Sequence, residues 1–266
     1  MIEPAREAFN RAADTIEATA VRNPINAWMR EVSRRHLLAT FPRGSRLVEI
    51  GCGAGADAAF LAERGYRIVG IDISDRMVEL ARQRITSQGL DGAVKVLRGR
   101  LVDVASELSR SEWLPFDGAY ANFSLTYEKS LRELLEVLSV LLRPGARFLF
   151  TLPNKLCLAA PAIALARFRV RGAFGRFREP ASATIRGTPV PITFYAPNRV
   201  RQILNGLFEI EGTAGVPVFM PPPSMYRRSF ERLRAGLELI DDRFAGRFPW
   251  RLLGETTLFR VRKANP

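Results

Sequence analysis

The stretch of sequence that decides the fold is LVEIGCGAG, residues 47–55, in which a short apolar run leads into a glycine-rich turn. The pattern predicts a buried strand over 46–50 and a helix that begins near Ala54. Glycines in such a turn allow positive φ angles and a close approach of the backbone to a ligand. Because ligands of open α/β sheets lie beyond the carboxyl ends of parallel strands, the turn predicts a binding site.

Glu49, two residues before the first glycine, bears on which ligand the turn holds. With Ala56, the turn also fits the G-x-G-x-x-A pattern of a dinucleotide site. A carboxylate at that strand end would repel a pyrophosphate, whereas it would attract the ammonium group of S-adenosylmethionine (SAM), directly or through water. Glu49 therefore favours SAM, and a dinucleotide-dependent dehydrogenase is the alternative.

Asp72 is the second anchor of the predicted site. It ends the next apolar run, Ile68–Asp72, 17 residues after Gly55. A carboxylate at this strand end can accept hydrogen bonds from both hydroxyls of a ribose, which is a role that dinucleotide folds share. Asp72 thus predicts a ribose-containing ligand without deciding between the two alternatives.

Outward from this core, strand and helix patterns alternate, which is typical of βαβ units around a parallel sheet. Two helices precede the core, separated at Pro24, with Asn23 as the cap of the second helix. The expected strands are 46–50, 67–71, 94–97, 117–121, 147–151, 208–215 and 256–262. We expect four parts: an N-terminal helical lid (1–40), a ligand-binding core (41–153), an insertion that caps the substrate (154–190) and a C-terminal completion of the sheet (191–266).

The combination of LVEIGCGAG with GIDIS, residues 70–74, resembles motifs I and II of class I SAM-dependent methyltransferases. The resemblance covers roughly residues 40–152 and includes the turn LLRPGARFLF, residues 141–150. The C-terminal part is similar to uncharacterised bacterial methyltransferases of the small-molecule type. The resemblance implies a doubly wound, Rossmann-like, seven-stranded α/β sheet with an antiparallel last strand.

The resemblance also implies a role in binding SAM for residues on the glycine turn and at the strand ends: Glu49, Gly51, Cys52, Gly53, Asp72, Ile73, Asn122 and Phe123. The first four would line the methionyl and ribose region. Asp72 would hold the ribose, and Ile73 would pack on the adenine. Asn122 and Phe123, just after the fourth strand, would lie under the methionine portion and the reacting centre.

The segment after the third strand departs from the family pattern. The family often has an acidic residue there that bonds the adenine amino group, whereas this chain has Arg100 followed by Leu101. We expect backbone groups and Leu101 to hold the adenine, or Asp103 if the register differs. The lid segment NPINAWMR, residues 23–30, carries Arg30, whose guanidinium is suited to the carboxylate of SAM.

Methyl transfer from a sulfonium is an in-line displacement, and the donor is already activated. The enzyme mainly supplies proximity and alignment, which are worth roughly 7–11 kcal/mol. A general base is needed only where the acceptor must lose a proton. Tyr127 and Tyr195 are the catalytic candidates, with Glu128 beside the first, while packing is an alternative role for both tyrosines. No metal site is expected.

Composition is that of an ordinary globular protein, with 47% hydrophobic and 25% charged residues among 266. Two cysteines and one histidine argue against a disulfide framework or a histidine-rich metal site. The N-terminus has neither the basic start nor the apolar core of a signal peptide, so a cytoplasmic location is expected. The patterns leave a monomer or a homodimer open.

The insertion pairs an apolar run, residues 156–166, with five arginines and three phenylalanines, in a chain of net charge +13. The arginines are Arg167, Arg169, Arg171, Arg176 and Arg178, and the phenylalanines are Phe168, Phe174 and Phe177. We favour a small-molecule acceptor, anionic or lipid-like, with peripheral membrane contact open. The alternatives are an RNA-directed methyltransferase, in which arginines meet phosphates, and a SAM-binding protein without methyl transfer. A solvated helix face would explain the arginines equally well.

Overall fold

The computed structural model describes residues 2–157, 159, 161, 175–177, 181–223, 226 and 231–264. The helices, in chain order, are α1 (Ile2–Arg22), α2 (Pro24–Thr40), α3 (Ala56–Ala62), α4 (Asp75–Ser87), α5 (Leu101–Leu108), α6 (Leu131–Leu141), α7 (Pro197–Leu204) and α8 (Glu231–Phe244). The strands are β1 (Arg46–Ile50), β2 (Arg67–Asp72), β3 (Val94–Arg98), β4 (Phe116–Ala121), β5 (Leu142–Pro153), β6 (Ala181–Ile185), β7 (Thr188–Ile192), β8 (Phe208–Val216) and β9 (Thr256–Lys263).

In the described residues, seven strands form one sheet in the order β3-β2-β1-β4-β5-β9-β8. Strands β1 to β5 pair in parallel, whereas β9 runs antiparallel between β5 and β8. The expected seven-stranded, Rossmann-like sheet with an antiparallel last strand is therefore confirmed. The order changes direction between β1 and β4, so the carboxyl end of β1 borders the crevice in which ligands of such sheets bind.

The strands of this sheet alternate their side chains between two buried faces. In β1, Val48 and Ile50 face the core that α5 and α6 cover. Leu47 lies in the core that α2, α3 and α4 cover on the opposite face. Glu49 follows Leu47 by two residues, so the same alternation directs its side chain toward α2 and α3.

Helix α2 begins as the sequence predicts. The Asn23 side chain accepts hydrogen bonds from the N–H groups of Ile25 (3.0 Å) and Asn26 (3.4 Å), with Pro24 in the first helical position. This cap satisfies N–H groups that have no partner within the helix.

Helix α1 lies across the start of α4 and against the β6–β7 hairpin. Ala5 and Ala8 pack with Val190 of β7 in a small apolar cluster. The Ser74 hydroxyl donates to the Asn10 side chain at 2.7 Å. Exposed ion pairs join Arg6 to Asp75 at 3.3 Å and Asp14 to Arg76 at 2.6 Å. Polar contacts thus hold this helix over the carboxyl end of β2.

Three local expectations were wrong in detail. The helix expected over 128–142 begins at Leu131, because Ser130 caps it by accepting a hydrogen bond from the N–H of Glu133 at 3.2 Å. Helix α5 (Leu101–Leu108) was not expected. Strand β5 begins at Leu142 and so includes the turn expected before it.

The insertion is described only in part. Residues 181–192 of this segment form the β6–β7 hairpin, although the segment was expected to be partly helical. Of the arginines and phenylalanines singled out there, Arg176 and Phe177 lie in a short 3-10 helix. The others, Arg167, Phe168, Arg169, Arg171, Phe174 and Arg178, lie outside the described residues. Within the part of the chain that is described, no helix has the length and apolar character needed to span a bilayer.

Candidate functional site

The glycine turn between β1 and α3 depends on close packing. Its Gly51 has φ 75°, and the N–H groups of Gly51 and Cys52 donate to the carbonyl of Ile71 at 2.8 and 3.0 Å. A Cβ on Gly51 would lie 2.2 Å from the Cβ of Ser124, and one on Gly55 (φ 75°) would lie 3.1 Å from the Cβ of Ala81. Side chains at these positions would therefore push the turn away from β4 and α4.

Asp72, at the end of β2, is held by the turn that it faces. One carboxylate oxygen accepts the N–H of Gly53 at 2.8 Å, and the other accepts the N–H of Ser74 at 2.9 Å. Burial raises the pKa of Asp72, and these backbone donors oppose that shift. Each oxygen retains a lone pair for a further donor, so the carboxylate is oriented to receive two hydroxyls.

A cavity of about 170 Å³ opens in front of Asp72. Nine of the residues predicted for the site line it: Gly51, Gly53, Asp72, Ile73, Arg100, Leu101, Asn122, Phe123 and Tyr127. The sequence argument thus located the floor of the cavity, which follows the carboxyl ends of β1, β2, β3 and β4. Residues that line it without having been predicted are Phe9, Ile16, Ile50, Ile71, Met77, Gly99, Ser124 and Leu125.

The roof of this cavity comes from α1. Phe9 and Ile16 reach the cavity from this helix, and Phe9 meets Tyr127 edge-on with ring centroids 5.1 Å apart. Their spacing of seven residues places both on one face of a helix, and this signal could have identified them. The segment 23–30, expected to fold over the cofactor, lines the larger cavity described below and not this one.

One wall of the cavity carries an ion pair. The Nη2 of Arg100 lies 3.3 Å from the Oε2 of Glu128, and the two side chains are 17% and 12% exposed. Burial raises the pKa of Glu128, whereas the charge and the hydrogen bond of Arg100 act against the shift. Glu128 lies beside the catalytic candidate Tyr127 in sequence. Its carboxylate is paired with Arg100, the residue that departs from the family pattern.

Glu49 lies beside this cavity rather than in its lining. Its carboxylate is 3% exposed and accepts the hydroxyl of Tyr120 at 2.9 Å. Burial raises the pKa of Glu49 well above its ordinary value, the negative charge of Asp57 adds to the shift, and the charge of Arg30 opposes it. The alternation of β1 explains the placement, because Ile50 faces the cavity and Glu49 faces α2.

A second cavity, of about 640 Å³, lies between α2 and α3. Arg30 and Met29 line it from α2, Phe60 lines it from α3, and Phe123 lines both cavities. In the part of the chain that the structure describes, Arg30 makes no hydrogen bond or ion pair. Phe123 therefore separates the two cavities, and the guanidinium of Arg30 lies in the larger one.

Asn122 and Phe123 form the boundary between the cavities. The Asn122 side chain accepts the hydroxyl of Ser33 at 2.6 Å and donates to Asp57 at 3.1 Å, which ties β4 to α2 and α3. Phe123 has φ 58° and is 39% exposed, and its N–H donates to the Thr151 hydroxyl at 2.7 Å. A left-handed aromatic residue is uncommon, and strain of this kind gathers at binding sites.

Two predicted residues lie away from both cavities. Cys52 is buried under the turn, where a Cβ on Gly70 would come within 3.1 Å of its sulfur, and burial raises its pKa. Tyr195 lies in a backbone bridge with Asn154, and its N–H donates to the carbonyl of Pro153 at 2.9 Å. The structure thus places Tyr127 at the site and Tyr195 outside the lining of either cavity.

Residues 21–186, more than half of the chain, match the family model of a methyltransferase domain. The chain belongs to the class I SAM-dependent methyltransferases. The glycine turn and Asp72 lie within the matched region.

Curated relatives of this methyltransferase match its core. It is 33% identical over 129 residues to a SAM-dependent Diels-Alderase from Talaromyces variabilis, covering 47% of this chain and 42% of the relative. It is 33% identical over 135 residues to an O-methyltransferase from Aspergillus nomiae, covering 50% and 54%. It is 26% identical over 150 residues to a demethylmenaquinone methyltransferase from Symbiobacterium thermophilum, covering 54% and 57%. The chain thus spans about half the length of these relatives.

Solved structures match over most of the methyltransferase. The 1,6-didemethyltoxoflavin-N1-methyltransferase of Burkholderia thailandensis superposes with a TM-score of 0.59 at 16% identity, covering 98% of this chain and 88% of that one. A SAM-dependent methyltransferase from Listeria monocytogenes gives 0.59 at 15% identity, covering 89% and 99%. At these identities the likeness establishes the fold alone.

Proposed function

We propose that this protein transfers a methyl group from SAM to an oxygen, nitrogen or carbon nucleophile of a small molecule, leaving S-adenosylhomocysteine (SAH). The observation that carries the proposal is the Asp72 carboxylate, which backbone N–H groups orient at the mouth of a cavity floored by Gly51 and Gly53. This arrangement fits a ribose next to a chain that crosses a glycine turn. When bound, SAM supplies the electrophilic methyl group.

The chain's own residues have separate parts in holding that cofactor. Asp72 accepts the two ribose hydroxyls, while Ile73 and Leu101 pack on the adenine. Arg30 is free to pair with the carboxylate of the methionyl tail. The buried carboxylate of Glu49 meets the ammonium group of the same tail, directly or through water, and the positive charge of that group favours the ionised carboxylate. Glu49 and Arg30 already interact electrostatically across this region.

Phe123 and Asn122 position the reacting centre in this proposal. Phe123 borders both cavities, so an acceptor in the larger one would meet the cofactor at this side chain. Burial raises the pKa of Tyr127, which keeps its phenol protonated at neutral pH. Tyr127 is then a donor that orients a group, not a base. The role of Tyr195 stays a prediction.

A small-molecule acceptor is supported by the named relatives, which include the O-methyltransferase and the demethylmenaquinone methyltransferase. A second candidate is a SAM-dependent enzyme that transfers no methyl group, because the Diels-Alderase is as similar to this chain as the O-methyltransferase is, at 33% identity. Both functions need the same cofactor cavity. They differ in whether methyl reaches an acceptor.

The test is a thermal-shift titration with SAM, SAH and NADPH, followed by turnover with methyl-labelled SAM and a panel of phenols, amines and quinols. Stabilisation by SAM and SAH that grows with concentration supports the cofactor assignment, because binding to the native state has this effect. A response to NADPH alone would overturn it. Label transfer to an acceptor supports methyl transfer, whereas tight SAM binding with no transfer would favour the second candidate. Salt-sensitive binding of mixed RNA would favour an RNA acceptor.

A further inference from the structure

The ion pair between Arg100 and Glu128 gives the cavity wall an acceptor beside a donor. The Nη2 of Arg100 is 3.3 Å from a Glu128 oxygen, and both side chains line the cavity. The Nε of Arg100 is buried and has no hydrogen-bond partner among the residues that the structure describes. A buried donor without a partner lowers the stability of the fold, and an acceptor atom on a ligand would satisfy this N–H.

The pair lies at the base end of the cavity. Arg100 follows β3 and precedes α5, and the N–H of Gly99 donates to the carbonyl of Asp72 at 2.9 Å. A ribose held by Asp72 therefore has its base directed toward the segment that carries Arg100 and Leu101. Leu101 and Ile73 supply apolar surface for the two faces of the base. The polar edge of the base then faces the ion pair of Arg100 and Glu128.

The edge of adenine is complementary to this wall. It presents an amino group, which donates, next to a ring nitrogen, which accepts. A guanidinium alone would face the amino group donor to donor. The Glu128 carboxylate removes this conflict, because it can accept a hydrogen bond from the amino group, which the guanidinium of Arg100 cannot do.

We propose that Glu128 and Arg100 together read the adenine edge: the amino group donates to Glu128, and the adjacent ring nitrogen accepts from the Nε of Arg100. This rests on the proposed function, because it assumes that an adenosyl cofactor occupies the cavity. Glu128, on the loop after β4, supplies the carboxylate acceptor that the segment after β3 lacks in this chain. Arg100 both holds that carboxylate and donates to the base.

The experiment measures, by calorimetry, the Kd of SAH and of S-inosylhomocysteine, in which a carbonyl oxygen replaces the amino group. The wild-type protein should bind SAH at least about tenfold more tightly, because the carbonyl oxygen would face the Glu128 carboxylate. Glu128→Ala should reduce this preference by at least about threefold, mainly by weakening SAH. The part that comes from Arg100 should remain, because the adjacent ring nitrogen of the inosine base carries a proton and cannot accept from the Nε. Glu128→Gln, which is close in shape and offers an amide donor to the carbonyl, should reduce it as well.

Glu133→Ala is the matched control, because Glu133 also faces Arg100 at 3.7 Å, is 53% exposed and is not among the cavity residues. It should keep the wild-type preference. Thermal unfolding confirms that each variant is folded, and Glu128→Gln replaces Glu128→Ala if the latter is not. The inference would be wrong if both Glu128 variants kept the full preference for SAH, or if the wild-type protein bound both nucleosides equally. Either result would leave the proposed function intact. No binding of either nucleoside by the wild type would instead overturn the proposed function.

Discussion

The two cavities on either side of Phe123 are built in different ways. The smaller one has Asp72 fixed by two backbone donors, apolar faces for a base and a helix closed over it. The larger one is bordered by Arg30, which makes no hydrogen bond or ion pair with the residues that the structure describes, and by Phe123 with its left-handed backbone. In the proposed function, the cavity that holds the cofactor therefore has its polar groups oriented before any ligand binds. The acceptor end has charge and shape that a ligand still has to satisfy.

Asp72→Ala should have the largest effect, and it should fall on the smaller cavity alone. It removes a charged acceptor of two ribose hydroxyls, each worth about 1.5–3 kcal/mol, so the Kd of SAH should rise by at least about 100-fold. Calorimetry with SAH measures this.

Glu112→Ala is the control for Asp72→Ala, because Glu112 is an exposed carboxylate that pairs with Lys95 at 2.7 Å and lines neither cavity. It should leave the Kd within about threefold of the wild type, as loss of a surface ion pair allows. If the Asp72→Ala protein is folded and binds SAH with the wild-type Kd, the smaller cavity is not the cofactor site.

Glu49→Gln tests a residue that lines neither cavity but interacts electrostatically with Asp72 of the smaller one and Arg30 of the larger one. The Kd of SAH should rise about tenfold, because the amide keeps the Tyr120 hydrogen bond but loses the charge that meets the ammonium group. An SAH analogue without the amino group should bind wild type and variant equally. Equal weakening of both ligands would mean that Glu49 acts only through packing.

The same substitution has an opposite effect on stability. The pKa of Glu49 is raised in the folded protein above its ordinary value of 4.5, so in that range the native state binds more protons than the unfolded state. The free energy of unfolding then falls as pH rises through this range. Glu49→Gln should flatten this decline, which urea unfolding at several pH values would measure.

Phe123 gives the smallest effect and concerns the boundary itself. Phe123→Gly should be more stable than Phe123→Ala by about 1 kcal/mol, because an alanine in the left-handed region keeps a steric cost that glycine avoids. Both variants lose the ring, so their difference isolates the backbone, and urea unfolding of the pair measures it. Equal stability would show that φ 58° at this position carries no strain.

Much of the smaller cavity could be predicted from the sequence, because its floor depends on local patterns. The glycine turn and Asp72 follow directly from strands that end at one edge of a sheet. Glu49 was placed with them, but the alternation within β1 turns it to the other face, next to Tyr120. That partner is 71 residues away in sequence.

The rest could not be predicted because it depends on contacts between distant segments. The pairing of Arg100 with Glu128 joins residues 28 apart, one after β3 and the other after β4. Phe9 and Ile16 belong to a helix whose position is set by α4 and by the β6–β7 hairpin. The helical spacing in α1 showed a face, but it did not show what that face covers.

The attachment of α1 also bears on the time for which the product stays bound. In the proposed function, Phe9 covers the bound cofactor from α1, and exposed ion pairs of Arg6 and Asp14 hold that helix against α4. Salt screens such pairs. The residence time of SAH should therefore shorten as ionic strength rises, and where product release limits the rate, turnover should become faster. Cellular ionic conditions would then tune the speed of this enzyme through a helix that takes no part in its chemistry.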